Sequence, residues 1–158
     1  AYPKWAISPS SLKSGMSIVK PGLSENTLTD KPKICILSSG YMLGRVIESW
    51  QKLFLEGHEV SVVDLWRVKP INPSIFKNTL EEYNILITVE EQTLSGGFGS
   101  AVLEALSDVG LKKDVLRIGL PERYLFENGD RDHLIDSNGL SAEEICNKIK
   151  NFCKVGDK

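Results

Sequence analysis

The stretch that decides the fold spans residues 34–65 and reads ICILSSGYMLGRVIESWQKLFLEGHEVSVVDL. It opens with a short apolar run at residues 34–37, which is typical of a strand buried on both faces. Apolar residues then recur at three- and four-residue steps over 43–54, the spacing of one helix face, and Gly57 follows where helices commonly end. A second apolar run covers residues 60–65. A strand, a helix and a strand of these lengths predict a right-handed crossover between parallel strands.

The alternation of strand and helix continues toward the C-terminus. Residues 66–73 contain two prolines, which exclude regular structure there. Ser141 and Glu144 have the spacing of a capping box, which predicts the start of a last helix. This order of elements predicts a three-layer α/β/α sandwich. The other predicted elements are strands at 85–89 and 115–120, and helices at 75–80, 98–109 and 130–138.

Residues 1–30 show neither a helical nor a strand period and contain several serines and prolines. We interpret them as a leader or linker from a preceding domain that lies extended on a surface. Residues 31–158 then form one domain. A chain of 158 residues with 41% hydrophobic and 25% charged side chains has enough apolar material for such a core.

Charge and hydropathy exclude several classes of partner. The chain carries 19 basic and 21 acidic residues, and the basic ones do not gather into one run, so we expect no nucleic-acid partner. The longest apolar runs are far shorter than the roughly 20 residues of a membrane helix. No secretion signal opens the chain, so the expected location is cytoplasmic. The three cysteines form no metal or redox motif, and Cys146 and Cys153 are too far apart along a helix for a disulfide.

Two loops follow predicted strands, where ligands of α/β folds usually bind. The first, residues 38–44, lacks the glycine spacing of a dinucleotide site and the Gly-Lys-Ser/Thr of a nucleotide loop, which favours a structural turn. The second, residues 90–100, places glycines before a helix, but Glu90 and Glu91 would repel a phosphate. We therefore favour close packing of another backbone or domain, with hydrogen bonds to the carboxylates. The glycines concerned are Gly96, Gly97 and Gly99.

Catalytic use of the acidic or histidine side chains is not favoured by the pattern. Glu90 and Glu91 are neighbours in a predicted strand, so their side chains point to opposite faces and do not share a substrate. His58 and His133 stand in polar segments without a recognisable nucleophile motif, which favours surface positions. The sequence predicts no catalytic residue.

Three segments together resemble the C-terminal domain of the transketolase family. They are residues 57–72, residues 89–100, and residues 119–124 with their continuation at 128–129 and 134–140. The last segment is similar to 1-deoxy-D-xylulose-5-phosphate synthase and to the split transketolases of prokaryotes, more than to the β subunits of 2-oxoacid dehydrogenases. The matches occur in the family's order between residues 33 and 152.

The resemblance implies a mostly parallel, five-stranded mixed sheet with helices on both faces, in an enzyme that works as a dimer. In that family, thiamine diphosphate and Mg²⁺ lie between pyrophosphate-binding and pyrimidine-binding domains. Those domains carry a Gly-Asp-Gly motif and an activating glutamate, and this chain has neither. The resemblance thus implies a non-catalytic assembly domain in a carbon-transferring enzyme, without catalytic, cofactor-binding or metal-binding residues of its own. We expect the isolated chain to be inactive.

The residues expected at a domain or dimer interface are Trp66, Glu90, Glu91, Gly96, Gly97, Phe98 and Gly99. An exposed Trp66 would be a natural anchor, since aromatic side chains concentrate interface energy, whereas the alternative is a side chain folded back on its own loop. Two other functions stay open at this point. One is a free-standing module for a small ligand or partner, and the other is the C-terminal part of a 2-oxoacid dehydrogenase β subunit.

Overall fold

The structure, a computed structural model, describes residues 13–22, 32–126 and 128–156. The described residues form a five-stranded sheet with helices on both faces, which confirms the α/β class. The strands are β1 (Ser17–Lys20), β2 (Ile34–Ser38), β3 (Val60–Asp64), β4 (Ile85–Thr93) and β5 (Asp114–Leu120). The helices are α1 (Met42–Leu55), α2 (Pro73–Leu80), α3 (Phe98–Asp108), α4 (Arg131–Ser137) and α5 (Ala142–Gly156).

The sheet has the strand order β1-β3-β2-β4-β5. Strands β2 to β5 are parallel, and β1 alone runs antiparallel, beside β3. In the centre of the sheet, Ile36 lies across from Val62 on one side and from Ile87 on the other. The four strands predicted from apolar runs are therefore the parallel ones, joined by helical crossovers as expected.

Two apolar clusters separate the three layers. Alternate residues of a strand face opposite sides of the sheet, so Ile36 joins one cluster and Cys35 and Leu37 join the other. The first cluster contains buried residues of α1, α4 and α5, and the second contains those of α2 and α3. Fully buried side chains such as Leu53 and Phe76 each contribute about 1.5–3 kcal/mol through their removal from water.

Strand β1 lies inside the segment interpreted as a leader without strand character, and for Ser17–Lys20 that interpretation was wrong. The strand has four residues at the sheet edge, with Ile18 48% exposed, so it is too short to show a period of its own. Pairing with β3 forms it. Hydrogen bonds hold the flanking residues: the Arg67 N–H donates to the Gly15 carbonyl, and the Gly22 N–H donates to the Ser61 hydroxyl. Residues 1–12 and 23–31 lie outside the described residues, and the domain division stays a prediction.

Two local predictions at the ends of elements have clear outcomes. The side-chain cap of the predicted capping box is confirmed, because the Glu144 N–H donates to the Ser141 hydroxyl over 3.2 Å. The Glu144 carboxylate accepts from that hydroxyl over 3.1 Å, in place of the Ser141 backbone N–H that the full motif uses. Strand β4 is longer than predicted and continues to Thr93, so it contains both Glu90 and Glu91. Within the part of the chain that is described, no helix has the length and apolar character needed to cross a membrane.

Candidate functional site

The carboxyl ends of β2, β3, β4 and β5 meet at one edge of the sheet, which we call the carboxyl edge. Ligands of open α/β sheets usually bind there. The edge carries the turn after β2, Asp64 at the end of β3, Glu90 in β4, and the loop of residues 94–97 that leads into α3. The candidate interface residues fall on this edge as well, including Trp66, which stands in the loop that leaves the carboxyl end of β3.

Glu90 occupies the amino end of helix α3. Its side chain is 2% exposed, and Oε1 accepts a hydrogen bond from the Gly99 N–H over 2.9 Å. The first N–H groups of a helix lack partners within the helix and attract negative charge. Burial raises the pKa of Glu90, while the Gly99 and Phe98 amides and the Arg117 guanidinium act to lower it. The position open to an anion on many helices is thus filled here by the protein's own carboxylate.

The glycines around Glu90 leave room for this arrangement. A Cβ atom on Gly97 would lie well under 3.0 Å from Glu90 Oε2 and from the Thr93 carbonyl oxygen. On Gly99 it would lie 2.8 Å from Glu90 Oε1, and on Gly119 it would lie 2.9 Å from the Glu90 Cγ. Gly97 and Gly99 thus pack closely against atoms of the same chain, whereas a Cβ atom on Gly96 would meet nothing within 4 Å.

Arg117, which the sequence patterns did not single out, closes the loop before α3. Its Nη1 donates to the Leu94 carbonyl over 2.9 Å and contacts the Ser100 hydroxyl over 3.0 Å. Ser100 in turn donates to the Leu94 carbonyl and accepts from the Gly96 N–H. Gly96 has a φ of 70°, a conformation that favours glycine. These hydrogen bonds hold the loop in place from within the domain. The role of Arg117 is visible only in the structure, through its contact from β5 to this loop.

Glu91 points away from Glu90, as expected of neighbours in a strand, and it pairs with Arg131 of α4. The Arg131 guanidinium also lies 3.8 Å from the centre of the Tyr41 ring. Beside it, Asp132 accepts from the Tyr41 hydroxyl and, over 2.6 Å, from Arg45. This network fastens α4 to β4 and to the start of α1. It gives the two glutamates separate structural partners rather than a shared reacting group.

Asp64 is buried at the end of β3, with 0% of its side chain exposed. Neither carboxylate oxygen has a hydrogen-bond partner among the described residues. Burial raises the pKa of Asp64 to about 6, and the nearby Ser39 side chain only partly opposes this. The sequence indicated only a strand-end residue here, because burial without a partner depends on how β1, β2 and β3 come together.

We expect the Asp64→Asn variant to be more stable than the parent above pH 7, and the difference to vanish toward pH 4. A carboxyl group with a higher pKa in the folded state binds its proton more tightly there, so stability rises as pH falls through about 6. Two pKa units correspond to about 3 kcal/mol, which sets the upper limit of the difference. Urea unfolding of both proteins between pH 4 and pH 8 measures it. Parallel pH profiles of the two proteins would contradict the prediction.

A cleft of about 420 Å³ opens at the carboxyl edge between the loop after β3 and the start of α3. A second hollow of about 260 Å³ continues it along α3. The two share four residues and form one groove, which we call the α3 groove. The shared residues are Val68, Lys69, Ala101 and Glu104.

Two aromatic side chains project from the loop that follows β5. Tyr124 and Phe126 are each 86% exposed, and their ring centres lie 6.2 Å apart. Trp66, the aromatic residue predicted as an anchor, is only half-buried and is thus neither fully exposed nor enclosed. The sequence patterns did not lead us to include this pair among the candidate interface residues. Two large aromatic side chains in a polar loop after Pro121 could nevertheless have indicated an exposed apolar surface.

The described part of the chain offers no site for metal binding or for thiol chemistry. No three His, Cys, Asp or Glu side chains come together there in a way that would hold a metal ion. The three cysteines are free, and burial raises the pKa of the Cys35 thiol, which keeps it protonated.

Comparisons with known proteins agree with the fold and with the sequence resemblance. Residues 25–145 match the family described as "Transketolase, C-terminal domain". The chain is 36% identical over 121 residues to the 1-deoxy-D-xylulose-5-phosphate synthase of Aquifex aeolicus (strain VF5), an alignment that covers 77% of this chain and 19% of that enzyme. It is 35% identical over 140 residues to 1-deoxy-D-xylulose-5-phosphate synthase 2 of Geobacter sulfurreducens (strain ATCC 51573 / DSM 12127 / PCA), covering 88% and 22%.

Among solved structures, the fold is similar to a protein described as "Split gene transketolase, inactive beta4 tetramer". The TM-score is 0.76 at 25% identity, and the similarity covers 96% of this chain and 46% of the other. The chain spans about a fifth of the length of the curated relatives it matches.

Proposed function

Because this chain belongs to the family of transketolase C-terminal domains, we propose that it is the non-catalytic assembly domain of a thiamine-diphosphate-dependent enzyme that transfers a ketol or aldehyde carbon unit. The observation that carries the proposal is the difference in length. Similarity extends over most of this chain but over only about a fifth of the related synthases. The catalytic groups then belong to other domains or subunits.

The chemistry of the carboxyl edge supports this division of labour. A diphosphate would find free N–H groups at the amino end of α3, but Glu90 already occupies them. Within the described ranges no acidic or histidine cluster fits a metal ion. These residues do not fit thiamine diphosphate with Mg²⁺, which we assign to the pyrophosphate-binding and pyrimidine-binding domains or subunits of the same enzyme. The complete enzyme is a homodimer in this proposal.

We further propose that the carboxyl edge is the surface that meets those domains. It combines the exposed pair Tyr124 and Phe126 with the edge of the α3 groove. Exposed aromatic side chains next to polar groups are typical of surfaces that bind another protein. Of the residues expected at the interface, Gly96 is exposed and Glu91 and Trp66 are partly exposed. Glu90, Phe98 and Gly99 are buried and support the surface from below.

Titration of thiamine diphosphate with Mg²⁺ tests the proposal. We expect no binding heat from this chain alone, and tight binding with ketol transfer once the polypeptide encoded immediately upstream is added. That polypeptide alone is the control, because the gain must depend on the two together. Tight binding of the cofactor by this chain alone would contradict the proposal. A chain that binds a phosphorylated sugar by itself would favour a free-standing binding module instead.

A further inference from the structure

The α3 groove has one wall from helix α3 and one from the loop after β3. Ala101, Glu104, Ala105 and Asp108 all line it, and their spacing of three and four residues places them on one helix face. The two alanines are half-buried, and the two carboxylates are exposed beside them. The facing wall contains Pro70 and Pro73, whose rings fix the backbone φ angle. The groove is thus a preformed channel with small residues along α3 and acidic residues at its rim.

The charges along the groove are mostly negative. Glu104 and Asp108 form no ion pair with any residue in the described ranges, and Lys69 is the one basic residue that lines the groove there. By contrast, Glu56 and Glu143 on the other side of the sheet each lie within ion-pair distance of a lysine. The rim therefore has acidic groups that the domain itself leaves unneutralised.

A buried carboxylate oxygen adds to this field. Glu90 lines the cleft end of the groove, and its Oε2 atom has no partner among the residues described. Gly97 lies next to that oxygen atom and has no side chain, so only a glycine separates the oxygen from the cleft. Arg117 offsets part of this charge from the β5 side, and Glu91 at the same end is already paired with Arg131. Over the whole groove, as far as the chain is described, the unpaired carboxylates Glu104 and Asp108 outnumber the one basic residue, Lys69, so the groove favours a cation over an anion.

We infer that the α3 groove receives a basic side chain, arginine or lysine, of a partner polypeptide. The alkyl part of such a side chain packs along Ala101 and Ala105, and its charged end lies beside Glu104, at the cleft end of the groove. The inference rests on the proposed function only in naming the partner as the catalytic part of the same enzyme. The chemistry of recognition comes from the charges and shape of the groove.

Two measurements on the full chain test the inference. The first titrates acetyl-arginine amide, with acetyl-citrulline amide as the uncharged analogue of the same shape, and follows backbone amide signals by NMR. We expect the arginine probe alone to shift the signals of Gly97, Ala101 and Glu104. The variant Glu104→Gln/Asp108→Asn should weaken that binding by roughly fivefold. The matched variant Glu48→Gln/Asp114→Asn removes the same charge elsewhere and should leave it unchanged.

The second measurement is the affinity of the chain for the polypeptide encoded upstream. Charge reversal by Glu104→Lys/Asp108→Lys should lower that affinity and reduce its dependence on salt. Equal responses to both probes, or shifts located away from the groove, would overturn the inference. An affinity for the upstream polypeptide that the charge reversal leaves unchanged would overturn it as well. If the two polypeptides do not associate at all, the proposed function fails, and the probe titration alone decides whether the groove binds a basic group.

Discussion

Replacement of Gly97 by alanine is expected to destabilise the domain by about 3 kcal/mol or more. The new methyl group would overlap Glu90 Oε2 and the Thr93 carbonyl oxygen, and one of those is backbone that does not move freely. Relief of this overlap requires Glu90 to leave the amino end of α3. A buried carboxylate and a helix N–H group would then lose their hydrogen-bond partners. The backbone φ of Gly97 is −81°, which any residue adopts, so the loss comes from the overlap and not from backbone strain. Urea unfolding measures the change.

The matched control is Gly44→Ala in helix α1. A Cβ atom on Gly44 meets nothing within 4 Å, and alanine favours the helix by about 0.5–1 kcal/mol over glycine. The control should therefore gain stability where Gly97→Ala loses it. A Gly97→Ala protein as stable as the parent would mean that the Glu90 carboxylate does not hold the position described.

The double variant Tyr124→Ser/Phe126→Ser is expected to weaken association with the cofactor-binding polypeptide by about 30-fold to 1000-fold. Large aromatic anchors at interfaces contribute about 2–4 kcal/mol when they are truncated, and the pair is 86% exposed in the chain alone. The same exposure means that the substitution removes little from the core, so stability should change by less than about 0.5 kcal/mol. Affinity is measured by calorimetry and stability by urea unfolding of the isolated chain.

Leu55→Ser provides the control for this variant. Leu55 is 79% exposed, and it stands at the end of α1, on the edge of the sheet opposite Tyr124 and Phe126. If the carboxyl edge is the contact surface, Leu55→Ser leaves the affinity unchanged. Equal losses of affinity from both variants would indicate non-specific hydrophobic association. If neither variant lowers the affinity, the aromatic pair is not part of the interface.

The parallel part of the fold was predictable because each of its signals is local. The apolar runs of β2 and β3, the helical spacing of α1 and the capping box at Ser141 depend on residues close together in the chain. Strand β1 was not predictable in this way, since its four residues become a strand only beside β3. The five-strand count followed from the family resemblance rather than from apolar runs.

The site was predictable only in part, for the same physical reason. The glycine-rich segment and the two glutamates were visible, and so was their orientation to opposite faces of β4. What holds them was not visible, because Arg117 and Arg131 are 27 and 40 residues away from Glu90 and Glu91, respectively, in the numbering of the chain. The burial of Asp64 without a partner depends on three strands at once.

The carboxylate of Glu90 also determines which solutes this scaffold can recruit. A tethered group competes with any free anion at an effective concentration in the millimolar range or above, and it does so in every molecule. Dissolved phosphate esters would have to displace it and leave its charge buried. The helix start that other α/β proteins offer to nucleotides is, in this one, already saturated by an intramolecular ligand. New anion recognition on this domain would therefore have to arise elsewhere on its surface, or begin with the loss of Glu90.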